Sequence, residues 1–267
     1  MKVFELLPRP LGKIFRKLTH LTCNSPFDES AIDSLRTFPE RHDIIGGMER
    51  TTKQMITHSL PFAVWMGLMF ALPATAESYA IRSAATLATG IACWIAHRKL
   101  KLSAEREACA HAGNPCLSAI SGIVVGLAIF ALWIWAPAWP YSEPVAPDAL
   151  PYAPQTCGWP LTIAKLVGSA FIIAPAEELF FRSFLYRRLI ARDFASIPLS
   201  KFDLSAFMWV VFLFTLEHDR PIAAAATGVA YGLLAIRFGI SSAITAHVTT
   251  NLVLALHVIF NNAWQFW

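Results

Sequence analysis

Charge is scarce in this chain. Of its 267 residues only 15% are Asp, Glu, Lys or Arg, while 55% are hydrophobic, whereas a soluble domain carries about 25% charge. With a mean hydropathy of +0.49, that balance points to the bilayer. Other absences narrow the chemistry. The five cysteines form no C-x-x-C pair and no metal-ligand spacing. There is no H-E-x-x-H helix for a standard zincin, no G-x-S-x-G elbow for a serine hydrolase and no P-loop for an NTPase. The two-fold repeat usual in transporters is missing, and Met1 to Pro10 has no continuous apolar core of a secretory signal. The net charge of +4 is modest and sits on loop Lys and Arg, so no nucleic-acid partner is needed to explain it.

What the chain has is apolar runs. They lie near 60–76, 79–97, 119–136, 161–187, 204–217, 222–236 and 240–260, and most reach the 17–25 residues that a spanning helix needs. The expectation is an all-α fold, a polytopic membrane helix bundle of about seven or eight transmembrane helices around an intramembrane polar cavity. Residues 1–58 read as a cytoplasmic or interfacial N-terminal region. Residues 59–267 read as the membrane domain. Within the first region Leu11, Ile14, Phe15 and Leu18 share a helix face beside Lys13, Arg16 and Lys17, the pattern of an interfacial amphipathic helix or of a small packed one.

Basic residues set the orientation. Arg98, Lys99, Lys101 and Arg106 fall in 98–118, and Arg187, Arg188, Arg192 and Lys201 in 187–201. The proline-rich segment 137–160 has no Lys or Arg at all. Seven spans with the N-terminus cytoplasmic satisfy the positive-inside rule at every loop, with Trp133, Trp135, Trp139 and Trp159 as an interfacial belt. Cys109 and Cys116 then lie on the reducing side, which argues against a disulfide. Cys93 reads as a small core residue.

Three polar motifs interrupt the apolar runs. In Glu177-Glu178-x-x-x-Arg182, Glu178 and Arg182 have the i,i+4 order favourable for an ion pair, leaving Glu177 about 100° away around the helix. An unpaired carboxylate in a partly dry cavity suits a general base. The run 204–217 is too short to cross, since fourteen residues reach roughly 21 Å against a hydrocarbon core of about 30 Å. His218, one turn after Phe214, would therefore lie at a helix break facing a cavity, between Glu217 and Asp219 and ahead of Pro221. His247 and Asn251 share a face of the last span and could form an oxyanion hole. Each motif also has a plainer reading: a polar knot, a helix-capping histidine, and interhelical hydrogen bonds. Glu177, His218 and His247 could also ligate zinc, and buried carboxylates with histidines also occur in proton-coupled transporters. His257 reads as structural or interfacial.

In this order, E-E-x-x-x-R, F-x-x-x-H and H-x-x-x-N resemble the CPBP family of intramembrane proteases, which joins the CAAX prenyl endopeptidases to the bacteriocin-processing or Abi proteins. The resemblance spans roughly Leu161 to Phe260, carried by Ala174–Arg182 and Ala246–Leu252. With Leu60-Pro61-Phe62 and Trp264-Gln265-Phe266-Trp267, the chain is similar to bacterial CAAX prenyl protease-related members, which often accompany exosortase-type sorting systems. It implies a glutamic-type, metal-independent intramembrane endopeptidase in a bacterial inner membrane. Glu177 and His218 would activate water, His247 and Asn251 would form the oxyanion hole, and Glu178 and Arg182 would support them. The implied partners are the bilayer, a membrane-anchored protein or peptide substrate, and an exosortase-type system. The alternative is a non-proteolytic immunity or scaffold protein. Glu217 departs from the pattern, which more usually has an apolar residue before the motif histidine. The placement of Glu177 and His247 along their spans argues that the cavity opens toward the cytoplasmic, basic end.

Overall fold

The structure, a computed structural model, describes residues 41–99, 114–137 and 151–267. The expected amphipathic segment 11–18, Cys23, Cys109 and Trp139 lie outside these residues. Residues Met48–Trp267 form one compact unit; of the other, Met1–Gly47, only Arg41–Gly47 is described.

All regular structure among the described residues is helical. The long helices are α1 (Arg41–Ala71), α2 (Ala76–Lys99), α3 (Pro115–Trp135), α4 (Trp159–Ile190), α5 (Leu204–Leu216), α6 (Pro221–Phe238) and α7 (Ile240–Asn261). Helices α3, α4, α6 and α7 are long and apolar enough to cross a membrane. Helices α1 and α2 fall short of that apolarity, and α2 buries Arg82, Ser83 and Thr86. Helix α5 is only 13 residues long. The chain is thus a polytopic helical bundle, and large apolar side chains such as Phe70, Trp94, Val124 and Phe260 stand exposed on its outside. In water such a surface would be strongly unfavourable.

Close helix packing explains how α7 is placed. Gly122 and Gly126, one turn apart on α3, lie against α7. A Cβ on Gly122 would come within 2.7 Å of the Ser242 carbonyl, and one on Gly126 within 2.5 Å of the Ala246 carbonyl. This is the small-residue contact by which membrane helices approach backbone to backbone. Two hydroxyls tie the same seam: Ser242 Oγ donates to Ser118 O (3.0 Å) and Thr250 Oγ1 to Gly126 O (2.7 Å). Because Ala246 precedes His247, the seam fixes the depth of that histidine. Gly126→Ala is expected to cost about 1–3 kcal/mol through overpacking, measurable as a lowered thermal midpoint in detergent. An unchanged midpoint would contradict so close a seam.

Helix α4 is not regular. Pro175 has no N–H and its ring opposes the carbonyl one turn back. The preceding turn, Gly168–Ile173, widens to π geometry, and Ala174 N donates to Ser169 O, five residues back. A second π stretch, Leu179–Leu185, follows the glutamates. Such widened turns re-aim side chains and are frequent at functional sites. Helix α5 begins with Asp203 accepting from Ala206 N at 2.9 Å, an N-cap. It stops at Leu216, and Pro221 starts α6, which leaves His218 in the break, as the sequence predicts. Beyond α7, Asn262 takes a left-handed conformation (φ 53°) and Ala263 N donates to Val258 O. This C-terminal cap turns Trp264–Phe266 back onto the bundle.

Candidate active site

The bundle encloses a cavity of about 410 Å³. Glu177, His218, His247 and Asn251 all line it, from α4, the α5–α6 break and α7. Three motifs far apart in sequence therefore open on one space. Glu178 and Arg182 stand behind them, both buried.

His247 sits between the two glutamates. Its Nδ1 is 2.9 Å from Glu178 Oε1, and its Nε2 is 3.8 Å from Glu177 Oε2. A carboxylate only accepts, so Nδ1 carries the proton in the Glu178 bond and Nε2 is turned toward Glu177 and the cavity. Glu178 Oε1 also pairs with Arg182 Nη1 at 3.1 Å. The Arg182 guanidinium lies over the Phe214 ring, 4.3 Å from its centroid, so an aromatic face replaces part of its lost hydration. Two acids and a permanent cation thus share one dry pocket, and the cation is tied to the acid that faces away from the cavity.

His218 is fixed in the same manner. Its Nδ1 donates to Phe214 O at 2.7 Å, and its ring packs on Phe214 and Trp133. This is the helix-capping arrangement, yet it leaves Nε2 unoccupied on a residue that lines the cavity. Asn251 Nδ2 donates to Ser169 O at 3.0 Å, the carbonyl at the widened turn of α4, so one amide proton positions the side chain and the other remains. Glu177 Oε2 has no hydrogen-bond donor from the protein. Among the described residues no three His, Cys, Asp or Glu side chains form a metal-binding group.

Sequence reasoning passed over several lining residues. Tyr231, on α6, hydrogen-bonds Thr250 at 2.6 Å and packs on the His247 ring; read as part of an apolar run, it gave no signal. Lys165 did give one, as a lone charge early in α4, and it also lines the cavity. Nearby Tyr152 lies between α3 and α4, outside the spanning helices, and burial holds its phenol above the ordinary tyrosine range, so it stays an uncharged ring. Glu217 ends α5, exposed and on the cavity rim.

The cavity also differs from expectation in the end it faces. It runs from His247 toward Trp133, Lys165, Phe266 and Trp267. These residues stand near the C-terminal ends of α3 and α7 and the N-terminal end of α4. That end flanks the segment 137–160 without basic residues, opposite the basic end inferred from helix positions alone. Positions along α4 and α7 alone do not register the tail folding back.

Residues 159–253 match the family described as type II CAAX prenyl endopeptidase Rce1-like. The motif-bearing segment is Rce1-like. The match takes in Glu177, Glu178, Arg182, His218, His247 and Asn251, and supports the CPBP/CAAX protease family read from the motifs. No curated protein and no solved structure matches the chain. The Rce1-like segment supports a CAAX-type intramembrane protease in general terms, and the apolar helices fit a multi-pass membrane protein.

Proposed function

We propose that the chain is an intramembrane endopeptidase that hydrolyses a peptide bond in a membrane-associated protein or peptide. The observation that carries this reading is the shared cavity: Glu177, whose buried Oε2 has no protein donor, lines the same space as two histidines whose Nδ1 atoms are already engaged. Glu177 accepts a proton from water while His218 Nε2 accepts the water's second hydrogen bond. The water oxygen bonds to the scissile carbonyl carbon, and the carbonyl electron pair moves onto its oxygen. Asn251, through its second amide proton, and His247 beside it stabilise that oxyanion. Glu177 then returns the proton to the leaving amine as the C–N bond breaks. Glu178 and Arg182 orient His247.

A single-pass reporter protein co-expressed with wild type, Glu177→Ala or His218→Ala tests this. A cleaved product with wild type and none with either variant at matched expression is the expected result, with the purified wild type insensitive to EDTA. Product surviving both substitutions would move the chain to the immunity or scaffold class.

We further propose that the protein is a bacterial inner-membrane protein with the basic end cytoplasmic, so that the cavity takes its substrate from the extracytoplasmic side. Two native cysteines test the topology. Cys116 opens α3 at the basic end and is exposed, while Cys157 immediately precedes α4 at the other end. In single-cysteine forms, an impermeant maleimide applied to right-side-out vesicles is expected to label Cys157 and spare Cys116, with both labelled after detergent. The reverse pattern would place the cavity mouth in the cytoplasm.

A further inference from the structure

Lys165 has no role in the hydrolysis described above, although it lies in the same cavity. Its Nζ stands 4.0 Å from the centre of the Tyr79 ring and 4.5 Å from that of Tyr152. Behind Tyr79 is a second cation, the buried Arg82, over that ring at 5.6 Å and over Trp65 at 5.0 Å. Among the described residues no carboxylate pairs with either, and Arg82 Nε is buried without a hydrogen-bond partner. Two cations thus approach one tyrosine ring in a low-dielectric setting. Aromatic faces offset only part of the lost hydration of an ammonium, and a buried cation is ordinarily paired. The open direction of Lys165 is the cavity.

We infer that Lys165 is an anchoring subsite for a carboxylate of the peptide substrate, held at the mouth of the cavity while the scissile bond lies at Glu177. This rests on the endopeptidase reading. Lys165 and Glu177 are twelve residues apart on α4 with the widened turn Gly168–Ile173 between them, at most about 18 Å at the regular helical rise of 1.5 Å per residue. An extended peptide covers that in about five residues at 3.3–3.6 Å each. The subsite therefore reads a negative charge at most about five positions from the bond that is cut, either at a chain terminus or on an acidic side chain. Its apolar surroundings strengthen the contact relative to water, and a neutral peptide would leave the ammonium unpaired.

Binding separates this inference from the hydrolysis it builds on. The probe is an N-terminally fluorescent, apolar hexapeptide in three forms: free acid, carboxamide, and carboxamide with Glu at the last position. Affinities are measured for the Glu177→Gln protein in nanodiscs of zwitterionic lipid, where no anionic headgroup competes. The free acid is expected to bind at least about ten-fold tighter than the plain carboxamide, as a charge-assisted hydrogen bond would give. Adding Lys165→Met should bring that ratio to about one, and Lys165→Arg should keep most of it. Glu-carboxamide binding like the free acid assigns the anchor to acidic side chains as well; binding like the plain carboxamide assigns it to the chain terminus. Equal affinity for all three forms overturns the subsite, and so does a preference that survives Lys165→Met. If Lys165→Met does not fold, the acid-to-amide ratio of the Glu177→Gln protein decides. Hydrolysis of the same peptides by wild type is scored separately. Preference without hydrolysis leaves the anchor standing and removes the protease reading, whereas hydrolysis without preference does the opposite.

Discussion

Glu177→Gln is expected to lower kcat by about 10²–10⁴-fold, the usual contribution of a general base, while KM and thermal stability stay near wild type. The amide keeps the shape of the side chain and can no longer accept the water proton. Glu177 is partly open to the cavity (13% of its side chain exposed) and contacts His247 only at 3.8 Å, so little packing or pairing is lost. A small rise in thermal midpoint would agree with the view that catalytic groups are held at some cost to stability. The measurement is steady-state hydrolysis of a quenched peptide together with a melting curve on the same sample. Activity within three-fold of wild type would remove Glu177 from the chemistry.

The neighbouring residue should behave in the opposite manner. Glu178→Leu is expected to destabilise the protein by about 3–5 kcal/mol, the penalty for leaving one member of a buried ion pair unpartnered. Glu178 is fully buried, pairs with Arg182 at 3.1 Å and holds His247 at 2.9 Å. Removing it leaves a guanidinium in a dry pocket with aromatic faces, Phe214 the nearest, beside it, and frees the imidazole to turn. Activity should fall as well, through loss of orientation and not of chemistry. A double variant, Glu178→Leu with Arg182→Leu, removes both charges and should regain much of the lost stability but little activity. Equal midpoints for the single and double variants would mean that the pair is not the source of the effect. Two adjacent glutamates would then be separated by readout: one moves kcat, the other the melting curve.

Much of this arrangement can be read from the sequence, because a charged or amide side chain inside an apolar run is conspicuous. The i,i+4 spacing identified Glu178–Arg182 as a pair, and the shortness of 204–217 with Pro221 behind it located the break that carries His218. Helical spacing says nothing about which neighbour a side chain meets across the bundle. His247 reads from sequence as the partner of Asn251, whereas in the fold its Nδ1 is claimed by Glu178 and Asn251 reaches Ser169 on α4. Those contacts depend on the Gly122–Gly126 seam and on the widening around Pro175, both products of packing. The C-terminal tail was also opaque. Asn262 and the aromatic residues after it look like an ordinary helix end, yet the left-handed cap sends Phe266 and Trp267 to the cavity. The end toward which the cavity opens follows from that reversal.

The placement of the counter-ion has a consequence for how the protein enters its membrane. A single charge at the centre of a helix costs about 2.5–3.5 kcal/mol on insertion scales, which α4 would otherwise meet at Glu177, Glu178 and Arg182 together. Since Glu178 and Arg182 neutralise each other one turn apart on the same helix, α4 carries that salt into lipid already formed, before α7 has been synthesised. His247 arrives last and finds an acid held in position. Biogenesis can thus proceed in order along the chain, with Glu177 and Lys165 left to be accommodated when the bundle closes.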